Sequence, residues 1–213
     1  MDATTASSLV ELRLRQRHAS RAPGRPITLG IAGGSAAGKS TLSRALAEQL
    51  APCHVEIVGQ DRFFKPRDEL PRWTRTQRSE PWPDYNQPDS IRIEALVEHV
   101  ASLAACDIAI VEGILVLHPP ELRQWFDLCC YVTAAADERI VRRIRRNVAA
   151  GLSLDDVADY YLDSVRFQHE RYNAPTSTHA DLLVPGGVAD QRERDALTAA
   201  ICAGIQAYRT SRV

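Results

Sequence analysis

From Pro26 onward the chain alternates short apolar runs with longer segments in which apolar residues recur every three or four positions. The first pattern predicts buried strands and the second amphipathic helices, and their alternation predicts βαβ units around a mainly parallel sheet. Strands are predicted at 27–32, 54–58, 108–111, 128–132 and 182–184, and helices at 39–50, 91–103, 137–150, 154–172 and 191–208. One doubly wound, mainly five-stranded parallel α/β sheet accommodates them all. Residues 155–172 are too polar for a helix packed within the core, which places that helix on the rim of a cleft.

Two stretches depart from the alternation. Residues 65–90 carry five prolines, Trp73, Trp82, Tyr85 and many charges, without helical or strand period. A loop of this length inside a compact domain predicts a functional segment, and its aromatics could stack on a ligand or anchor the loop. Residues 1–25 read as a partly flexible lead-in, with 8–17 either a short helix or frayed, and the arginines at 13, 15, 17, 21 and 25 as a solvated face. Asp2 and Glu11 speak against a transit peptide. The remainder, 26–213, reads as one domain.

Composition narrows the function classes without choosing one. A chain of 213 residues, 45% hydrophobic and 25% charged with a formal net charge of -1, predicts a globular protein with no general attraction to nucleic acid or anionic membrane. No apolar run approaches the roughly 20 residues that span a bilayer. Cys53, Cys106, Cys129, Cys130 and Cys202 show no C-x-x-C spacing, so buried thiols in a reducing cytoplasm are expected rather than zinc or disulfides.

The chemistry is concentrated at Gly33-Gly34-Ser35-Ala36-Ala37-Gly38-Lys39-Ser40, followed by Thr41, which satisfies G-x-x-x-x-G-K-[ST] between a predicted strand and a predicted helix. Glycines let the backbone close into a nest of N–H donors, and the following helix turns its positive end to a phosphate. Lys39 then reaches the outer phosphates and the Ser40 hydroxyl ligates Mg²⁺. Such a loop serves switches, motors and kinases alike. No N-K-x-D element is present to read guanine. Asp61, at the carboxyl end of the second predicted strand, is placed either to accept a proton from an attacking hydroxyl or to cap a helix starting at Arg62. Glu112 ends the third strand, where a carboxylate can hold Mg²⁺ directly or through water, and Gly113 suggests a close backbone approach.

The set "GGSAAGKST", "QDRFFKP", "YNQPDSI", "VEGILVL", "RRIRRNVAAG" and "YLDSVRFQHERYNAPTSTHADLLVP", spanning residues 27–185 in unbroken order, resembles the uridine kinase and phosphoribulokinase family of P-loop kinases. "QDRFFKP" is similar to the corresponding segment of nicotinamide riboside kinases, and the carboxyl-terminal half to uridine-cytidine kinases. The resemblance implies a P-loop NTP hydrolase fold with a helical lid at about 142–172 and an ATP- and Mg²⁺-dependent kinase for the 5′-hydroxyl of a nucleoside or ribosyl compound. It implies ATP contacts from Gly33 to Thr41, Asp61 as base, and Ser40, Asp61 and Glu112 at the metal. It further implies Lys39, Arg142 and Arg146 as catalytic cations, with Asp61, Phe64, Lys65, Asp84, Tyr85, Asn86, Glu112 and Arg142 around the acceptor.

Two positions depart from the family pattern. Asn86 stands where an aspartate commonly grips the ribose diol, with Asp84 and Asp89 as neighbouring substitutes, and Leu152 stands where a lid arginine is usual. Both point away from plain uridine, toward a modified nucleoside or nicotinamide riboside. A kinase for a sugar phosphate or pantothenate, and a non-catalytic ATP-binding regulator, stay open. The choice of ATP or GTP and a homo-oligomeric state are equally open. His118, His169 and His179 have no metal spacing and receive no role.

Overall fold

The computed structural model describes residues 2–21, 23–74 and 81–211. Five strands, β1 (Ile27–Gly33), β2 (Val55–Gly59), β5 (Ile108–Glu112), β6 (Leu128–Thr133) and β7 (Leu182–Pro185), form one parallel sheet in the order β2-β5-β1-β6-β7. The short strands β3 (Arg72–Thr74) and β4 (Pro81–Pro83) pair apart from it.

Side-chain alternation along the strands divides the core in two. Ile27, Leu29 and Ile31 of β1, with Ile108, Ile110, Leu128, Cys130 and Val132, face one layer, while Ala109, Val111, Cys129 and Tyr131 face the other. The first layer is closed by α2 (Lys39–Gln49) and α8 (Gln191–Thr210), the second by α3 (Ile93–Ser102) and α4 (Pro120–Arg123). Gly30 lies on the second face because the Phe126 ring occupies the space its Cβ would need. Burial on both faces explains why the strands read as continuous apolar runs.

Residues 3–17 depart from the lead-in reading. They form α1 (Ala3–Arg17), started by the Asp2 carboxylate accepting from the Thr5 N–H at 2.9 Å. Ala6, Val10 and Leu14, spaced i, i+4, i+8, are fully buried against α8, where Gly204 permits close approach to Val10. Its arginines are only partly a solvated face. Arg17 grips Asp181 through two hydrogen bonds of 2.7 and 3.0 Å, and Arg21 donates to Asp127 at 2.6 Å.

The loop at 65–90 contains the β3–β4 hairpin, with Trp73 opposite Trp82. Strands of three residues are too short to leave a readable period, which is why the sequence gives no sign of them. Residues 75–80 lie outside the described residues. The predicted helix 154–172 is α6 (Leu154–Tyr160), then π-helical Tyr161–Val165, α7 (Arg166–Gln168) and π-helical His169–Asn173. Together with α5 (Ala136–Ala149) these form a lid over the carboxyl ends of β1 and β5. Asn173 pins its far end: Nδ2 donates to Gly33 O at 3.2 Å and to Ile114 O, while Oδ1 accepts from the Tyr131 hydroxyl at 2.7 Å.

Candidate active site

β1 ends in the loop that the sequence marks for phosphate. Gly33 and Gly38 have φ of 145° and 110°, and Ala36 takes φ 63°, so the backbone turns into a concave nest there. α2 begins directly after it with no side-chain cap, leaving its amino-terminal N–H groups available to an anion. Lys39 is 8% exposed, its Nζ donating to Gly34 O at 3.0 Å. Burial lowers its pKa to about 8, against the opposing pull of Glu112 and Asp61. The Ser40 hydroxyl donates to Glu112 Oε1 at 2.6 Å, which sets two hard oxygens side by side as Mg²⁺ ligation requires.

Asp61 lies in the 3₁₀ turn Gln60–Phe63, whose N-cap is Gly59 with no side-chain hydrogen bond. Its exposed carboxylate is therefore not spent as a cap. Gln60 is fully buried and accepts from the Leu115 N–H at 2.9 Å. Its side chain fills the space beside Gly113, so the close approach expected at that glycine is to Gln60.

Two cavities meet at the loop. One, of about 350 Å³, is lined by Asp61, Phe64, Tyr85, Asn86, Glu112 and Tyr160, among others. The other, of about 600 Å³, runs from the start of α2 past Arg44 and Arg142 to Gln191 and Arg194. Ala36, Lys39, Ser40 and Arg146 line both. The wall between them is thus made of the cations and backbone suited to phosphate, with Asp61 and Glu112 on one side only.

The lid distributes its arginines differently from expectation. Arg142 lines only the second cavity and is bound by Glu138 at 2.5 Å, Gly186 O at 2.8 Å and Ala36 O at 3.3 Å. It braces the phosphate loop and does not reach the smaller cavity. Arg143 takes that place: its Nη1 donates to Ser35 Oγ at 2.8 Å, its guanidinium lies over the Tyr160 ring at 5.4 Å, and its buried Nε has no partner. Among the described residues no carboxylate pairs with it, and burial lowers its pKa. Arg139 packs against Gly34, where a Cβ would collide with it. His169 also lies against Gly34, and burial first, then Arg139, lower its pKa to about 4. Arg139, Arg143 and Arg146 follow i, i+4, i+7 and share a helix face, a spacing visible in the sequence. Arg142 and Arg146, at i and i+4, fit a stripe equally well, so only packing separates them.

Other expected acceptor residues divide as well. Phe64 and Tyr85 meet edge to face at 5.0 Å on the cavity wall. Lys65 and Asp89 line a separate cavity beyond Gln60. Asp84 is fully buried behind the wall and cannot take the place of Asn86: its carboxylate accepts from Asn86 N at 2.9 Å, Asn86 Nδ2 at 3.1 Å and Gln168 Nε2 at 3.0 Å. Asn86 Nδ2 also donates to the Tyr160 hydroxyl at 2.6 Å. Both amide hydrogens are thereby used inside the protein, and the amide oxygen is the group Asn86 offers a ligand. Tyr160, Arg143, Arg139, His169 and Asn173 are the site residues that sequence reasoning missed.

Comparison with known proteins identifies the family of the chain. The family model described as "Phosphoribulokinase / Uridine kinase family" matches residues 98–191. The uridine kinase of Clostridium novyi (strain NT) is 33% identical over 189 residues, covering 76% of this chain and 88% of that protein. That of Chloroflexus aggregans (strain MD-66 / DSM 9485) is 30% identical over 207 residues, covering 85% and 97%. Among solved structures, D-glycerate 3-kinase from Cryptococcus neoformans var. grubii superposes with a TM-score of 0.55 at 10% identity, covering 86% of this chain and 95% of that one. A gluconokinase from Sinorhizobium meliloti 1021 gives 0.53 at 15%, covering 87% and 98%. At such identities these two are likenesses of fold alone.

Proposed function

This chain belongs to the phosphoribulokinase/uridine kinase family of ATP-dependent small-molecule kinases, and from that premise we propose that it phosphorylates the primary hydroxyl of a neutral nucleoside or ribosyl compound. The observation that carries the reading is the pair of cavities joined at Lys39, Ser40 and Arg146, with Asp61 confined to the smaller one. The larger cavity suits the nucleotide and the smaller the acceptor.

Charge placement bears on the acceptor. Lys39, Arg143 and Arg146 are the cations lining the smaller cavity, and all of them gather at the phosphate loop or the lid above it. Among the described residues its far wall is Phe64, Tyr85, Asn86, Ile114 and Tyr160, which offers no cation for a second phosphate. A neutral acceptor is favoured over a sugar phosphate.

In this reading Asp61 takes the proton of the acceptor hydroxyl as its oxygen bonds the γ-phosphorus in line with the breaking bond to the β-phosphate oxygen. Lys39, Arg143 and Arg146 stabilise the charge spread over the migrating phosphoryl oxygens, an effect of several kcal/mol in a water-poor site. Ser40 and Glu112 would hold Mg²⁺, which when bound neutralises charge between the β- and γ-phosphates. Lys39 exchanges its bond to Gly34 O for phosphate oxygens.

The test is acceptor-dependent ADP release from Mg-ATP across uridine, cytidine, adenosine, nicotinamide riboside, sugar-modified nucleosides and ribulose 5-phosphate. Turnover with an uncharged member, lost by about 10²–10⁴-fold in Asp61→Asn with ATP binding intact, is expected. Turnover with the sugar phosphate alone, or unchanged activity in Asp61→Asn, would overturn the reading.

A further inference from the structure

A cavity of about 870 Å³ lies at the amino-terminal ends of β6 and β7, the opposite end of the strands from the phosphate loop. It lies between α1, the start of β6 and the residues leading into β7. A strand the length of β1 spans roughly 23 Å, so this cleft and the kinase site share no wall. Arg13, Arg17 and Arg21 line it from α1 and the turn after it, at i, i+4 and i+8, and Arg123 faces them from α4.

Two carboxylates lie at the base of this cluster, and both are already saturated. Asp181 accepts from Arg17 at 2.7 and 3.0 Å and from the Cys129 N–H at 2.9 Å, with Arg13 Nε 2.9 Å away. Asp127, fully buried, accepts from Arg21 at 2.6 Å and the Thr28 N–H at 2.8 Å, and pairs with His18 at 3.0 Å. Three of the four guanidinium groups, those of Arg13, Arg17 and Arg21, thus share two carboxylates. Among the described residues Arg123 has no acidic partner; its Nη1 donates to the carbonyls of Leu117 and His118, leaving Nε and Nη2 for a ligand. Arg13 Nε, although beside Asp181, is buried without a well-aligned hydrogen bond. On a chain whose formal net charge is -1, this surplus is local rather than background.

We propose that this cleft is a second anion site, separate from the kinase centre, that binds a small molecule carrying linked phosphates. Guanidinium forks match phosphate oxygens in pairs, and a cluster of four in one concave surface suits a polyphosphate better than a single carboxylate. Arg17 and Arg21 hold α1 to the sheet, whereas Arg13 and Arg123 are the residues available to recognise the ligand.

The test is calorimetric titration of the full chain with sodium tripolyphosphate at 0.15 M salt, in the wild type, Arg13→Gln/Arg123→Gln, Lys39→Ala, and a charge-matched control, Arg15→Gln/Arg192→Gln. Two equivalents are expected in the wild type. Arg13→Gln/Arg123→Gln should weaken one of them at least tenfold and leave the other, which Lys39→Ala removes, and the control should resemble the wild type. Parallel titrations with ATP and UTP distinguish a nucleotide from an inorganic polyphosphate as the better ligand. A single equivalent that only Lys39→Ala removes, or equal weakening in the arginine pair and its control, would overturn the proposal. Circular dichroism of each variant separates loss of binding from loss of fold.

Discussion

The hydroxyl of Tyr160 accepts a hydrogen bond from Asn86 Nδ2 at 2.6 Å, joining the lid to the acceptor wall. The same hydroxyl accepts from the Tyr85 N–H at 3.0 Å. Its ring is stacked on Trp73 at 5.2 Å on one side and lies near Arg143 on the other. Because Arg143 also holds Ser35, one tyrosine connects the hairpin, the acceptor wall and the phosphate loop.

Tyr160→Phe keeps the stack and removes the hydroxyl, leaving the Asn86 and Tyr85 donors without that partner. Acceptor kcat/KM should fall about tenfold, corresponding to roughly 1.4 kcal/mol for a lost buried hydrogen bond. The KM for ATP should not move. Steady-state kinetics with each substrate varied in turn measures both.

Arg143 and Arg142 should separate in kinetics. Arg143→Ala removes a buried cation from the smaller cavity and should lower kcat by about 10²-fold or more. Arg142→Ala loosens the brace on Ala36 and Gly186, and its effect should fall mainly on the KM for ATP. Equal losses of kcat in the two variants would contradict the assignment of their sides.

Exchanging charge between neighbours tests what Asn86 reads. Asp84→Asn/Asn86→Asp moves the carboxylate from behind the wall to the cavity, where it can accept from two vicinal hydroxyls. Relative to the wild type, preference for a ribonucleoside over its 2′-deoxy counterpart should rise about tenfold. An unchanged ratio in a folded double variant would mean that position 86 does not face the sugar.

Lys39 gives nucleotide binding an alkaline limit. Its pKa without ligand is about 8, well below the ordinary lysine value of 10.5, because it is buried. Phosphate favours the charged amine and raises that pKa again, so binding above about pH 8 takes up a proton. Affinity should then fall about tenfold per pH unit above that point and be flat just below it. Calorimetry in buffers of different ionisation enthalpy counts the proton directly.

Asp127→Ala tests how α1 is held. The substitution leaves Arg21, His18 and the Thr28 N–H without their shared acceptor, and removing one partner of a buried charged network costs about 3–5 kcal/mol. An unfolding free energy lowered by that amount in urea titration is expected.

The five sheet strands, the phosphate loop with Lys39 and Ser40, and the positions of Asp61 and Glu112 at strand ends were determined by the sequence alone. These follow from local rules: strands buried on both faces leave continuous apolar runs, and a nest of N–H groups needs its glycines at fixed spacing. Tertiary structure decided the rest. Whether Arg142 or Arg143 faces the smaller cavity depends on which helix face the lid buries, and both belong to plausible stripes. Asp84, expected beside Asn86 at the acceptor, is instead buried behind it, where Tyr160, Gln168 and the Asn86 amide surround its carboxylate. Strands as short as β3 and β4 have no period to read, and α1 gains its place in the core from α8, nearly the whole chain away. Local pattern records what each segment is; burial among distant neighbours selects which of its side chains meet.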